Sequence, residues 1–241
     1  MISGLMRVSA RSAAMTVFFA ALMAGLPGPA RAATPRIEAA KPQVEVAKPI
    51  EAAQPPFSAT QRPASPARTQ AGWDIGSLML QLSEVERSQA RFVERKYLKI
   101  LKAPLELSGT LTYIRPGQIE KRTLKPRPET LTVAHDMLTL ENPGRKERRV
   151  LKLQDYPVLW GFIESVRATL GGDIKALERF YRVELEGGPA KWRLYLAPRS
   201  DSMNKVISLI RIDGGGARIH AIEVQEARGD RSVMKIIEDS P

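Results

Sequence analysis

Two histidines, no cysteine and scattered serines and carboxylates are all that this chain offers for covalent or acid–base chemistry. Without cysteine, disulfides, thiolate nucleophiles and thiolate metal sites are excluded. His135 stands beside Asp136, but neighbours in sequence do not make a Ser-His-Asp set. No G-x-S-x-G turn and no H-E-x-x-H helix occurs. His135-Asp136 reads as a tight turn between two strands. His220 reads as a partly buried structural histidine, sharing a strand face with Ile222 and Val224. Gly214-Gly215-Gly216 reads as a hairpin turn, because no helix follows to offer its N-terminus to a phosphate. Glu164 and Glu178 read as helix surface. No catalytic residue, metal site or cofactor is expected.

One polar residue stands out for its position. Residues 109–117 read GTLTYIRPG and alternate as a strand does. Leu111, Tyr113 and Arg115 fall on one face, Thr110, Thr112 and Ile114 on the other. An arginine thus closes an apolar-leaning face, directly before Pro116. The residues alone allow a guanidinium reaching solvent at a strand end. They equally allow one donating several hydrogen bonds to a neighbouring element.

The elements that would position Arg115 follow from periodicity. Asp74 can cap a helix with Ile75, Leu78, Leu82 and Val85 on one face, running to about Arg87. The period then changes to two. Strands are expected over 89–98, 105–115, 118–125, 129–135, 137–141 and 147–153, with turn signals at 115–117, 125–128 and 142–144. A helix should span Tyr156–Leu170, with Pro157 in its first turn and Gly171-Gly172 at its end. Asp173 caps a short piece, Ile174–Glu178. Strands resume over Arg179–Glu186 and Lys191–Ala197, where Trp192, Leu194 and Leu196 share a face. A polar break leads to Lys205–Asp213, Arg218–Gln225 and Ser232–Glu238. Ten or eleven antiparallel strands and two helical regions result. A sheet so large curls, and only the helices can cover its concave face. They either fill that face as a permanent core or form a lid over a cavity for an apolar ligand.

The rest of the chain bears on location. Arg7 and Arg11 precede an apolar run, Ala13–Leu26, and then PGPARA. That is the form of a secretory signal, with cleavage expected after Ala32. The run is short for a transmembrane helix. Residues 33–70 are rich in alanine and proline and read as a disordered linker. The globular domain is expected over 71–241. Apolar residues make up 43% of the 241, enough for a core that needs no disulfide. The formal charge is +11, and losing Arg7, Arg11 and Arg31 with the signal lowers it to +8. Such a charge suits anionic head groups or acidic partners. No nucleic-acid motif occurs, so no nucleic-acid partner is expected.

The order of parts resembles the LolA family of periplasmic lipoprotein carriers, in a divergent LolA-like branch, over roughly residues 75 to 237. Phe92, then Gly109, Leu111, Arg115 and Pro116, match that family's phenylalanine followed by G-x-L-x-x-x-R-P. Pro128 and Leu131 match a P-x-x-L strand. The resemblance implies a fold that is mainly β with α: a curved, unclosed antiparallel half-barrel covered by lid helices. It implies a monomeric, non-enzymatic periplasmic carrier of acylated lipoproteins. An inner-membrane release complex would load it, and it would deliver to an acceptor lipoprotein at the outer membrane. The chain has no lipobox cysteine, which places it with the soluble carrier. Arg115, with Pro116, matches the arginine that latches the lid in that family. Phe92, Leu107, Leu111 and Tyr113 are the candidate cavity residues on the sheet. Trp160, Phe162, Ile163 and Val166 are the candidates on the lid. Three features depart from the family. Lys121 and Arg122 stand where an aromatic is usual, His135-Asp136 where Asp-Gly is common, and MLTLENPG lacks aromatics. A specialised carrier for another acylated molecule fits these departures. A second reading is a periplasmic sensor or adaptor that binds a lipid or protein on the same half-barrel without transfer. A third, a lipid hydrolase or acyltransferase, has no nucleophile to support it.

Overall fold

The computed structural model describes residues 72–237. The signal expected over 1–32 lies outside the described residues, and so does the linker at 33–70. Helix α1 (Ile75–Ser83) begins where the Asp74 carboxylate accepts a hydrogen bond from the Ser77 amide at 2.8 Å. It buries Leu78, Met79 and Leu82. It ends short of Arg87, because Arg87 already pairs with Ile114 in the sheet.

The strands are β1 (Arg87–Tyr97), β2 (Leu105–Ile114), β3 (Gln118–Lys125), β4 (Glu129–Ala134), β5 (Met137–Asn142) and β6 (Glu147–Lys152). Then come β7 (Tyr181–Gly188), β8 (Lys191–Pro198), β9 (Ile207–Gly215), β10 (Arg218–Glu226) and β11 (Arg231–Ile237). They form one antiparallel sheet in the order β6-β5-β4-β3-β2-β1-β11-β10-β9-β8-β7. The edges β6 and β7 do not pair with each other, so the half-barrel is unclosed. Two meanders are thereby joined along β1 and β11, with Phe92 opposite Ile236 and Glu94 opposite Met234.

The chain passes from one edge to the other through helices. Helix α2 (Pro157–Gly171) takes Pro157 in its first turn, where the missing amide costs nothing. It ends at Gly172, whose φ of 69° is left-handed, and a Cβ there would run into the Met79 carbonyl of α1. Asp173 caps α3 (Ile174–Phe180) by accepting from the Ala176 amide at 3.0 Å. The polar break before β9 holds a further short helix, α4 (Asp201–Asn204), which buries Met203.

His220 also departs from the expectation. It does not sit half-buried beside Ile222 and Val224; it is exposed. The β9–β10 register slips between Ile219 and Ala221, so a bulge at His220 breaks the alternation that would have turned it inward. His135, in contrast, occupies the tight β4–β5 turn with φ of 51°.

Candidate functional site

Alternation assigns the inner face of the sheet. In β1 the buried positions are Ala90, Phe92, Glu94 and Lys96; in β2 they include Leu107, Gly109 and Tyr113. Phe92, Leu107 and Met234 pack as one cluster, joined by the partly buried Leu105, Leu111 and Ile236. Three of the four sheet candidates, Phe92, Leu107 and Leu111, therefore meet in one place. The fourth, Tyr113, is buried farther along β2.

Three ions share this apolar face. Glu94 and Lys121 are both buried, and Lys121 Nζ pairs with Glu94 Oε2. Lys96 Nζ lies 3.8 Å from Glu94 Oε1, which also accepts from Ser232 Oγ at 2.9 Å. The Lys121 ammonium stands 4.8 Å from the centre of the Phe92 ring, a cation–π distance. Burial works against the Glu94 charge, but Lys121, Lys96 and the hydroxyl of Ser232 hold its carboxyl below the usual range. Burial pushes Lys96 down to about 8, against the pull of Glu94. Burial likewise lowers Lys121. Sequence reasoning placed Lys121 only as a departure from the family pattern and left Glu94 and Lys96 unremarked. The signal was present: Phe92, Glu94 and Lys96 share one face by simple alternation.

Arg115 lies at the rim where β2 turns into β3. The strand ends at Ile114, so alternation stops one residue before Arg115. Its amide donates to the Glu86 carbonyl at 2.9 Å, while its side chain is exposed. The peptide to Pro116 is cis. Among the described residues, the guanidinium of Arg115 makes no hydrogen bond to the helices. The reach between lid and rim comes from the other side. Arg167 of α2 lies over Gly117, where an added Cβ would stand 2.7 Å from its Nε. Its Nη1 donates to Glu164 at 2.7 Å and approaches the His135 carbonyl at 3.5 Å. Tyr113 completes this junction beneath α2, with a Cβ on Gly171 placed 3.7 Å from its Oη. Burial raises the Tyr113 hydroxyl, opposed by Arg115 and Arg167.

The lid candidates divide. Phe162 and Ile163 are buried, whereas Trp160 and Val166 are half-buried. Trp160 meets Phe180 of α3 edge-on at 5.6 Å, so part of its surface serves packing between the helices. Among the described residues no group of three or more histidine, aspartate or glutamate side chains could hold a metal. Among them, too, no helix is long and apolar enough to cross a membrane.

A family model described as "Outer membrane lipoprotein carrier protein LolA-like" matches residues 64–236. The chain belongs to this LolA-like family. No curated protein matches the sequence. Similar solved structures include a LolA superfamily protein from Nitrosomonas europaea, at 14% identity and a TM-score of 0.37, covering 68% of this chain and 94% of that one. A second is the MucA/MucB complex of Pseudomonas aeruginosa, at 11% identity and a TM-score of 0.39, covering 70% and 59%. A third is the CwlD amidase of Clostridioides difficile in complex with the GerS lipoprotein, at 15% identity and a TM-score of 0.32, covering 62% and 82%.

Proposed function

We propose that this LolA-like protein is a periplasmic, non-enzymatic carrier. It binds the acyl chains of a lipoprotein, or of a related acylated molecule, between the inner face of the half-barrel and the helices. One observation carries the reading. Phe92, Leu107 and Met234, with Leu105, Leu111 and Ile236, form an apolar cluster on the sheet of a carrier-family protein. Each CH₂ taken from water onto such a surface contributes about 0.8 kcal/mol, so a fatty-acyl chain can outweigh a few lid hydrogen bonds. Phe162, Ile163 and Val166 cover the cargo from the lid, and Trp160 holds the helices together. Arg115, Pro116 and Arg167 form the hinge-side junction at which the lid parts from the rim. Family membership supports loading from an inner-membrane complex and delivery to an outer-membrane acceptor. Export of a monomer, cut after Ala32, completes the reading.

The test is native mass spectrometry of the exported protein beside a Leu111→Arg variant. Acylated molecules that co-purify with the wild type and are missing from the variant support the carrier. A wild type that is empty and takes up no added acylated ligand removes it.

The buried Glu94–Lys121–Lys96 group supports a second reading, the adaptor. Acyl chains gain nothing from buried ions, and a polar or protein ligand does. Stable complex formation without transfer of cargo to vesicles would favour it.

A further inference from the structure

The strand connections leave the sheet at two opposite rims. Arg115 and His135 mark one. At the other, five connections lie side by side in the order of the strands: 143–146, 126–128, 98–104, 227–230 and 199–206. The 98–104 connection, LKILKAP, is anchored to its neighbour, for the Lys99 amide donates to Asp230 Oδ1 at 2.9 Å. It is also turned on itself, the Leu101 amide donating to the Leu98 carbonyl at 2.9 Å.

This anchored tip presents two adjacent aliphatics to solvent. Ile100 is 88% exposed and Leu101 45%. A single exposed aliphatic is ordinary, but two together at a hairpin tip are not. Lys99 and Lys102 bracket them. The connections at 98–104, 126–128 and 143–146 hold no acidic residue. Lys125, Arg127 and Lys146 extend the positive charge on one side and Arg228 on the other. At the opposite rim, Arg115 is offset by Asp136. Positive residues thus flank the aliphatic tip, and Asp230 is the one acidic residue among 98–104, 126–128, 143–146 and 227–230.

We infer that this rim docks on an anionic lipid surface. Ile100 and Leu101 enter the boundary between head groups and acyl chains, and the flanking cations face lipid phosphates. A bilayer accepts any aliphatic tip, whereas an acidic protein would have to offer a pocket shaped for it. Charge complementarity and the bare aliphatic pair together select the lipid. The inference stands apart from the cargo reading, because it uses no residue of the inner face.

The test is co-sedimentation of the protein recovered from the envelope of an exporting host, its leader removed and its mass verified. One set of vesicles is phosphatidylcholine alone; the other contains phosphatidylglycerol as well. The wild type should bind the mixed vesicles at least ~10-fold more tightly than the neutral ones. The Ile100→Ser/Leu101→Ser pair and the Lys99→Glu/Lys102→Glu pair should each weaken that binding by ~10-fold. An Arg87→Glu/Arg115→Glu pair at the opposite rim should not. All these sites are exposed, and circular dichroism checks that each variant folds. Absence of binding, equal binding to both vesicles, or equal loss in the opposite-rim pair overturns the inference. So does a loss confined to the lysine pair, which would leave the aliphatic tip without a role.

Discussion

Lys121 of β3 reaches Glu94 of β1 across the whole width of β2, the strand that lies between them. The register explains how. Lys121 stands opposite Leu111 and Glu94 opposite Leu107, so the line between them passes over Gly109, which has no side chain. The ion pair crosses where β2 is bare, beside the Phe92 ring. Removing one partner leaves the other charged and buried. Lys121→Met should therefore cost about 3–5 kcal/mol, while replacing the whole group at once (Glu94→Leu, Lys96→Met and Lys121→Met) should recover most of that loss, since Lys96 also depends on Glu94. Urea unfolding of the two variants and the wild type measures both.

Lys96 gives the same site a pH dependence. Its folded pKa is about 8, against an ordinary 10.5, because burial penalises the ammonium. The unfolded chain therefore binds more protons between those values, and stability rises with pH across them. The penalty is present in full below pH 8. Above pH 10 the raised hydroxyls of Tyr113 and Tyr181 act in the opposite sense. Between pH 8 and pH 10, wild-type stability should climb, and Lys96→Met should make that climb shallower, the lowered Lys121 supplying what is left. Urea midpoints across this window decide it.

Glu226, at the end of β10, has the reverse sign. Burial, and then Asp230, push its carboxyl up to about 7 from 4.5. The folded state holds the extra proton between those values, so stability falls as pH rises from 4.5 to 7. Glu226→Gln should melt progressively higher than the wild type as pH rises through that range, with a constant difference above it. A difference in Tm that ignores pH would remove Glu226 as the cause.

Much of this fold was legible because period-two alternation and turn residues are local signals. Trp192, Leu194 and Leu196 fell on one face as their spacing requires, and all three are buried. Pro157 and Gly172 bounded α2 for local reasons as well. The failures have a different origin. The bulge at His220 arises from the pairing of β10 with β9, which no feature of β10 alone records. Helix α1 lost its last expected turn to a strand partner. Glu94 and Lys96 drew no notice, and Lys121 only as a departure from the family pattern, because buried charges are rare; yet their strands had already placed them inward. Arg167 drew no notice because an arginine on an amphipathic helix is ordinary; only the fold brings it over Gly117.

Gly109 is where motif and structure give one reason. The register of β2 with β3 shifts between Ser108 and Gly109, and a Cβ on Gly109 would collide with the Arg122 carbonyl oxygen of β3. The collision is with backbone, so no side-chain rotation relieves it. Gly109→Ala should destabilise by roughly 2 kcal/mol or more. Ser108→Ala, next to it and half-buried, should cost less than half as much. Thermal unfolding of the pair of variants distinguishes a glycine demanded by the sheet from one that is merely tolerated.

The junction of lid and rim separates two arginines with different parts to play. Arg167 lies on Gly117 and is tied to Glu164, whereas Arg115 is exposed. In the empty protein, Arg167→Ala should loosen α2 and the 115–117 turn, raising amide exchange in both by about tenfold. Arg115→Leu should leave exchange in α2 within about twofold of the wild type, since it removes no hydrogen bond to that helix. Uptake of a fluorescent acyl probe should follow the same ranking, faster in Arg167→Ala than in Arg115→Leu. A latch formed by Arg115 alone requires the reverse order in both measurements. Exchange mass spectrometry on the empty and the probe-filled protein therefore shows which of the two guanidiniums holds the lid.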